Sequence, residues 1–227
     1  NRWRKRHPPG DVVVVRYADD FIVGFGQRKD AERFLSELRD RLAKFSLALH
    51  PEKTRLVEFG RFAGQNRRAR GLGKPETFDF LGFTHICGET RSGKFLVLRH
   101  TAKKRLRAKL QDVKRELRKR RHRHVVEQGE WLAAVVRGYF VYYAVPGNWD
   151  ALESFRLVVM RHWRRALRRR GQRDGPTWSK MWKLTNRWLP RPRILHPWPK
   201  YRFVRQHPWW EPSAVIPPAR ICAGGAG

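Results

Sequence analysis

Acidic residues are scarce in this chain of 227 residues: 20 Asp and Glu stand against 51 Lys and Arg, a net charge of +31. An excess of that size repels itself unless a polyanion neutralises it, so the partner is nucleic acid or an anionic membrane surface. Long apolar runs are also missing, as is a secretory signal pattern. A spanning helix needs roughly 20 apolar residues, so nucleic acid is the stronger reading and no membrane role is expected. Cysteine is limited to Cys87 and Cys222, far apart and outside any CxxC pair, which leaves no basis for a disulfide framework or a cysteine zinc site. A reducing, cytoplasmic setting fits. There is no internal repeat. An initiating Met is absent too, and the chain enters a strand-like run at Val12, so we expect a piece of a longer protein whose front is missing.

Aromatic residues, by contrast, are plentiful. Ten Trp, thirteen Phe and five Tyr can build a core and offer stacking faces to bases, which argues against a disordered basic tail. Residues 11–25 read as a β-hairpin, two apolar runs around the turn-forming Asp19-Asp20. Residues 30–46 read as an amphipathic helix with Asp30 as N-cap and Phe34, Leu35, Leu38, Leu42 and Phe45 at helical spacing. Thr54 to Phe59 reads as a strand, 60–76 as a loop rich in Gly and Arg, and 78–98 as apolar segments around a Ser92-Gly93 turn. The first hundred residues are therefore an α+β layer.

After Thr101, read as a helix cap, the pattern changes. Leu106, Leu110, Val113 and Leu117 form a narrow apolar stripe, while residues 103–123 hold twelve Lys or Arg and two acids. Further helices are expected over Glu130–Ala144, over about 150–170, and over Trp178–Trp188. Together they make a small bundle with basic outer faces. From Pro190 the chain should be irregular, held down by Trp198, Trp209 and Trp210, and should end in a mobile Gly/Ala tail.

The sharpest feature is Tyr17-Ala18-Asp19-Asp20. Mg²⁺ takes hard oxygen ligands and is commonly held by one or two carboxylates together with substrate phosphates. Two such ions about 3.5–4 Å apart can activate a 3′-hydroxyl and stabilise a leaving pyrophosphate. A plain polar turn is the alternative for Asp-Asp alone; the apolar strands on both sides favour the metal reading.

These four residues resemble the Y-x-D-D box of reverse transcriptases, in the form found in group II intron-encoded proteins. His50-Pro51-Glu52-Lys53-Thr54-Arg55 resembles the next palm block, and Phe78-Asp79-Phe80-Leu81-Gly82-Phe83 the primer-grip hairpin. Arg137 to Tyr143 resembles the maturase-specific or thumb domain, and Trp210 to Pro217 the C-termini of bacterial members. The resemblance implies an α+β fold: the rear of a polymerase palm over 1–100, an all-α thumb over 101–189, and a basic tail over 190–227. It implies Asp19 as a direct ligand of Mg²⁺ and Asp20 as a second carboxylate. Tyr17 and Ala18 would line the nucleotide and primer, and Lys53 would stand near the incoming triphosphate. Phe80, Leu81 and Gly82 would shape the primer grip, with core packing as the alternative for the first two. The implied partners are intron RNA, an RNA template with a DNA primer, and deoxynucleoside triphosphates, in a bacterial, nucleoid-associated setting.

One departure matters. The family uses a third catalytic aspartate from an upstream strand, and Asp11 is wrongly placed to supply it. The chain alone is therefore expected to lack polymerase activity. The basic helix would bind phosphates through Lys103, Lys104, Arg105, Arg107, Lys109, Lys114, Arg118 and Arg121. Trp131, Tyr139, Tyr142 and Tyr143 are read mainly as core, and His122 and His124 as part of the basic face. No Cys/His cluster of an endonuclease domain is present. The rival readings are a non-enzymatic splicing maturase and a retron or diversity-generating reverse transcriptase. Oligomeric state stays open.

Overall fold

The computed structural model describes residues 12–171 and 175–198. These residues form two compact units: 12–80 with 85–98, and 81–84 with 99–198.

In the first unit, β1 (Val13–Tyr17) and β2 (Asp20–Gly24) pair antiparallel, Val13 opposite Gly24 and Tyr17 opposite Asp20. Only Ala18 and Asp19 remain for the turn. So tight a reversal drives Ala18 to φ 50°, a left-handed conformation unusual for a residue with a Cβ. Arg16 Nε steadies the turn by donating to the Ala18 carbonyl at 2.9 Å. Val12, Phe25 and Ala31 are buried together, with Val23 and Phe34 against them. Helix α1 spans Arg28–Ala43, two residues earlier than its apolar periodicity suggests. Its N-cap is Gln27, and Asp30 lies in the first turn instead, where it still favours the positive end of the helix dipole.

The expected strand over 54–59 is absent. Its residues find no partner strand among the described residues, and the Glu58 N–H is taken by the Glu76 carboxylate at 3.0 Å. The expected loop over 60–76 contains a short helix, α2 (Ala63–Ala69). Half-buried Arg67 reaches Glu58 at 3.8 Å and Glu76 at 3.9 Å, and Arg70 also pairs with Glu58. These ion pairs fix the segment without any sheet ladder.

Strands β3 (Phe78–Phe80), β4 (Phe83–Glu89) and β5 (Phe95–Thr101) form a three-stranded sheet in chain order. The 78–83 block, apolar but for Asp79, is split by a two-residue turn at Leu81-Gly82, with φ 49° and 77°. Positive φ at both central residues suits the right-handed twist of the flanking strands.

The second unit carries four helices: α3 (Lys103–Lys119), α4 (Val125–Tyr143), α5 (Trp149–Arg168) and α6 (Trp178–Trp188). Helix α3 starts after Ala102. Thr101, expected as its cap, is instead buried, with its N–H and hydroxyl both bonded to Asn148. Helix α4 begins five residues before the sequence suggests. The core joins Val113 and Leu117 of α3, Leu132 and Val136 of α4, Leu152, Phe155, Val159 and Trp163 of α5, and Met181 of α6. Fully burying each such side chain stabilises by about 1.5–3 kcal/mol. The described residues after α6, to 198, are irregular, as expected, and Trp198 is 44% exposed. Trp209, Trp210, Cys222 and Asp11 lie outside the described residues.

Candidate metal and nucleic-acid sites

The hairpin turn sets the geometry of the carboxylates. Asp19 occupies the turn and Asp20 opens β2 opposite Tyr17. Both are exposed, as are Tyr17 and Ala18. Neither aspartate pairs with a cation among the described residues. Two adjacent exposed carboxylates offer the hard oxygens that Mg²⁺ accepts. No group of three His, Cys, Asp or Glu that could hold a metal occurs among the described residues. The two carboxylates could supply part of a metal-ligand set. Around the hairpin, Val14, Val15 and Phe21 are also exposed, at 59%, 43% and 47%.

Lys53 lies in the same unit on an exposed turn after Pro51, its N–H donating to His50 O at 3.2 Å. It forms no ion pair with a described carboxylate, so its charge is available to an anionic ligand.

The Leu81-Gly82 turn is held from within the second unit. Tyr142 Oη donates to the Leu81 carbonyl at 2.8 Å, and the Ala102 N–H donates to the Gly82 carbonyl at 2.9 Å. A Cβ on Gly82 would stand 2.9 Å from Tyr143 Oη. Glycine is therefore required there twice, by backbone angle and by space. Phe80 is half-buried, and its ring lies 6.5 Å from that of His85. The sequence reading did not foresee that Tyr142 and Tyr143 grip this turn. Tyr142 is half-exposed and stacked on Phe83. Tyr139, in contrast, is deep in the core against Phe155, and burial pushes its hydroxyl up to about 12. Trp131 is half-buried beneath the Arg120 guanidinium. His122 and His124 are exposed and belong to no metal cluster among the described residues.

On α3 the apolar stripe turns inward and the cations remain outside. Lys103, Lys104, Arg105, Arg107, Lys109 and Arg118 are exposed; Lys114 and Arg121 are half-buried. The two acids of this stretch are already engaged: Asp112 with Arg115, and Glu116 with Lys119 and Arg120. None of the eight cations singled out from the sequence pairs with a described carboxylate. They form an unneutralised field suited to phosphates. The sequence reading expected basic outer faces on the whole bundle but named binding residues only within 103–123; α5 packs against α3 and adds exposed Arg161, Arg165 and Arg168. The Arg-x-x-x-Arg spacing of 161 and 165 is the signal that could have found them.

The described residues thus hold a mixed α/β unit with two adjacent exposed carboxylates at a hairpin tip and a helical unit with exposed cations that form no ion pair. Residues 1–85 match the family model described as "Reverse transcriptase (RNA-dependent DNA polymerase)". That stretch takes in Tyr17–Asp20, Lys53 and Phe80–Gly82. No curated protein matches the chain.

Proposed function

We propose that this chain is part of a group II intron-type reverse transcriptase, which binds its intron RNA, aids splicing and copies RNA into DNA with Mg²⁺. The observation that carries this reading is the tight hairpin that exposes Asp19 and Asp20 within the segment matching the reverse transcriptase model. Residues 1–100 serve as the rear of the palm, 101–189 as the thumb or maturase domain, and 190–227 as a basic tail.

Asp19 and Asp20 would hold Mg²⁺, which supplies activation of the primer 3′-hydroxyl and neutralises charge on the triphosphate. Tyr17 and Ala18 flank the nucleotide and primer; Lys53 meets the triphosphate as a cation. Phe80, Leu81 and Gly82 form the tip that guides the primer, and the α3 cations follow the template–primer backbone. A bacterial cytoplasmic, nucleoid-associated location agrees with the charge. No described helix is long and apolar enough to cross a membrane.

Primer extension on an RNA template is the test. The chain alone is expected to be inactive, since two carboxylates make an incomplete two-ion site. Exchanged for the matching segment of an active reverse transcriptase, residues 1–85 should preserve Mg²⁺-dependent extension, and Asp19→Ala should abolish it. A chimaera that still binds template–primer but does not extend with Asp19 intact would overturn the polymerase reading. It would favour a splicing maturase that only grips RNA, for which the free cations of α3 are the supporting observation.

A further inference from the structure

Trp149, Glu153 and Arg156 recur on α5 at spacings of four and three, so they share one face of the helix. Trp182 and Asn186 repeat the four-residue spacing on α6. The two stripes line a cleft of about 730 Å³ whose remaining wall is the irregular segment 191–194.

Two properties of this cleft call for a ligand. The first is its pair of open indoles. Trp149 is 48% exposed and Trp182 43%, with no cation over either ring among the described residues. Trp178, equally exposed, is instead covered by the Arg164 guanidinium at 4.1 Å. The second is a buried cation. Arg156 is only 5% exposed. Its Nη2 donates to Asn186 Oδ1 at 3.2 Å and to the Leu189 carbonyl at 3.5 Å, while its Nε has no partner. A guanidinium taken out of water without a paired anion is costly. Glu153 stands close enough to favour the charge, and Arg191 to oppose it, but no described carboxylate forms an ion pair with Arg156. With Arg191 and Arg193 also lining it, the cleft holds three guanidinium groups and one carboxylate.

We propose that this cleft binds an unstacked nucleotide of a single-stranded polynucleotide, its base against Trp149 and Trp182 and its phosphate at the arginines. The open π-faces select this occupant over an acidic peptide, which would satisfy the cations but leave the indoles bare. Glu153 can accept a hydrogen bond from an exocyclic base amine. The volume lies in the range of small-ligand pockets. The inference stands on the cleft alone and does not depend on polymerase activity or on the α3 surface.

Fluorescence anisotropy with the full chain tests it, using fluorescein-labelled oligouridylate, oligothymidylate and a blunt RNA duplex. Trp182→Ala should weaken binding of the single strands by about 5- to 150-fold, the range that loss of one base–aromatic stack gives. It should leave duplex binding unchanged. Trp182→Phe should keep most of the affinity. Arg193→Gln should lower the salt slope for single strands by about 0.7. Preference for the ribo- or the deoxy-oligonucleotide tells which polymer the cleft takes, and loss of either with Trp182→Ala supports the proposal. The proposal fails if both Trp149→Ala and Trp182→Ala bind single strands as the unaltered chain does. It also fails if they lose single strand and duplex alike, or if a polyglutamate peptide displaces the oligonucleotides from the unaltered chain but not from Trp182→Ala.

Discussion

At the scale of single residues, Asn148 shows how one buried amide can hold a chain reversal. It is fully buried. Its Oδ1 accepts from the Thr101 N–H at 2.9 Å, and its Nδ2 donates to Thr101 Oγ1 and to the Tyr143 carbonyl, both at 2.8 Å. One side chain thus ties the end of β5 to the end of α4 and the start of α5. Asn148→Ala would leave the buried Thr101 N–H unsatisfied, at about 1–3 kcal/mol, while the Tyr143 carbonyl keeps the Val145 N–H at 2.8 Å. Urea unfolding should show a loss of about 1–3 kcal/mol, and Asn148→Asp should recover the bond to the Thr101 N–H. His162 offers a pH test. Burial lowers its pKa from the ordinary 6.5, with Lys114 and Arg165 adding to the effect. Because the unfolded chain takes up this proton at a higher pH than the folded one, the contribution of His162 is intact above about 6.5 and is lost as pH falls below it. Thermal melts should therefore decline in Tm from pH 7 towards pH 5, and His162→Gln should flatten that decline. An unaltered slope in the variant would assign it to other groups. Neither role was legible in sequence, because each depends on partners 47 or more positions away: Asn148 on Thr101, and His162 on Lys114.

At the scale of elements, legibility followed how local the determining physics is. Helix α6 was readable end to end because its limits are written in adjacent residues. Thr177 accepts a bond from the Lys180 N–H at 3.3 Å, and Pro190 follows its last turn. The β1–β2 hairpin was readable because its turn residues lie between two β-branched runs. The segment 54–59 was misread because a strand also needs a partner, and pattern alone cannot supply one. Helix α4 was expected from Glu130 and begins at Val125, so that Gln128 and Gly129 lie inside it. Gly129 is buried in the helix interior, and a Cβ there would come within 2.6 Å of the Trp188 ring at the end of α6. The site residues divide in the same way. Tyr17 to Asp20 are a contiguous motif and were found, whereas the grip of Tyr142 on the Leu81 carbonyl spans 61 positions and was not. Gly129→Ala makes the point testable. Helix propensity alone would favour Ala by about 1 kcal/mol, but a rigid indole cannot yield as a flexible side chain does. Overpacking of this kind costs about 1–3 kcal/mol, so the variant should be less stable in urea than the unaltered chain. Pairing it with Trp188→Ala should remove the penalty of the second change relative to the first.

At the scale of the whole molecule, the charge of +31 sets the behaviour that any nucleic-acid reading must obey. Attraction that comes from phosphate neutralisation releases counterions, so affinity falls as a power of salt concentration. The seven unpaired cations of α3, Arg121 just beyond it and the arginines of α5 could together engage about 6–10 phosphates, which predicts a fall of roughly 10³–10⁵ in affinity between 50 and 200 mM salt. Isothermal binding of an RNA duplex across that range checks it. The same series on a Lys103→Gln, Arg107→Gln, Lys114→Gln, Arg118→Gln variant separates this surface from the bulk charge. All four side chains lie on one flank of α3, beside the apolar stripe. If that flank meets phosphates, the slope should drop by about 2.8–3.6, the sum for four lost contacts at 0.7–0.9 each. If the charge acts only as a diffuse field, removing four of 51 cations should lower affinity slightly at every salt concentration and leave the slope almost unchanged. A steep slope that collapses in the variant would locate the grip on α3; a steep slope that persists would move it to α5, where Arg161, Arg165 and Arg168 are the next group to neutralise.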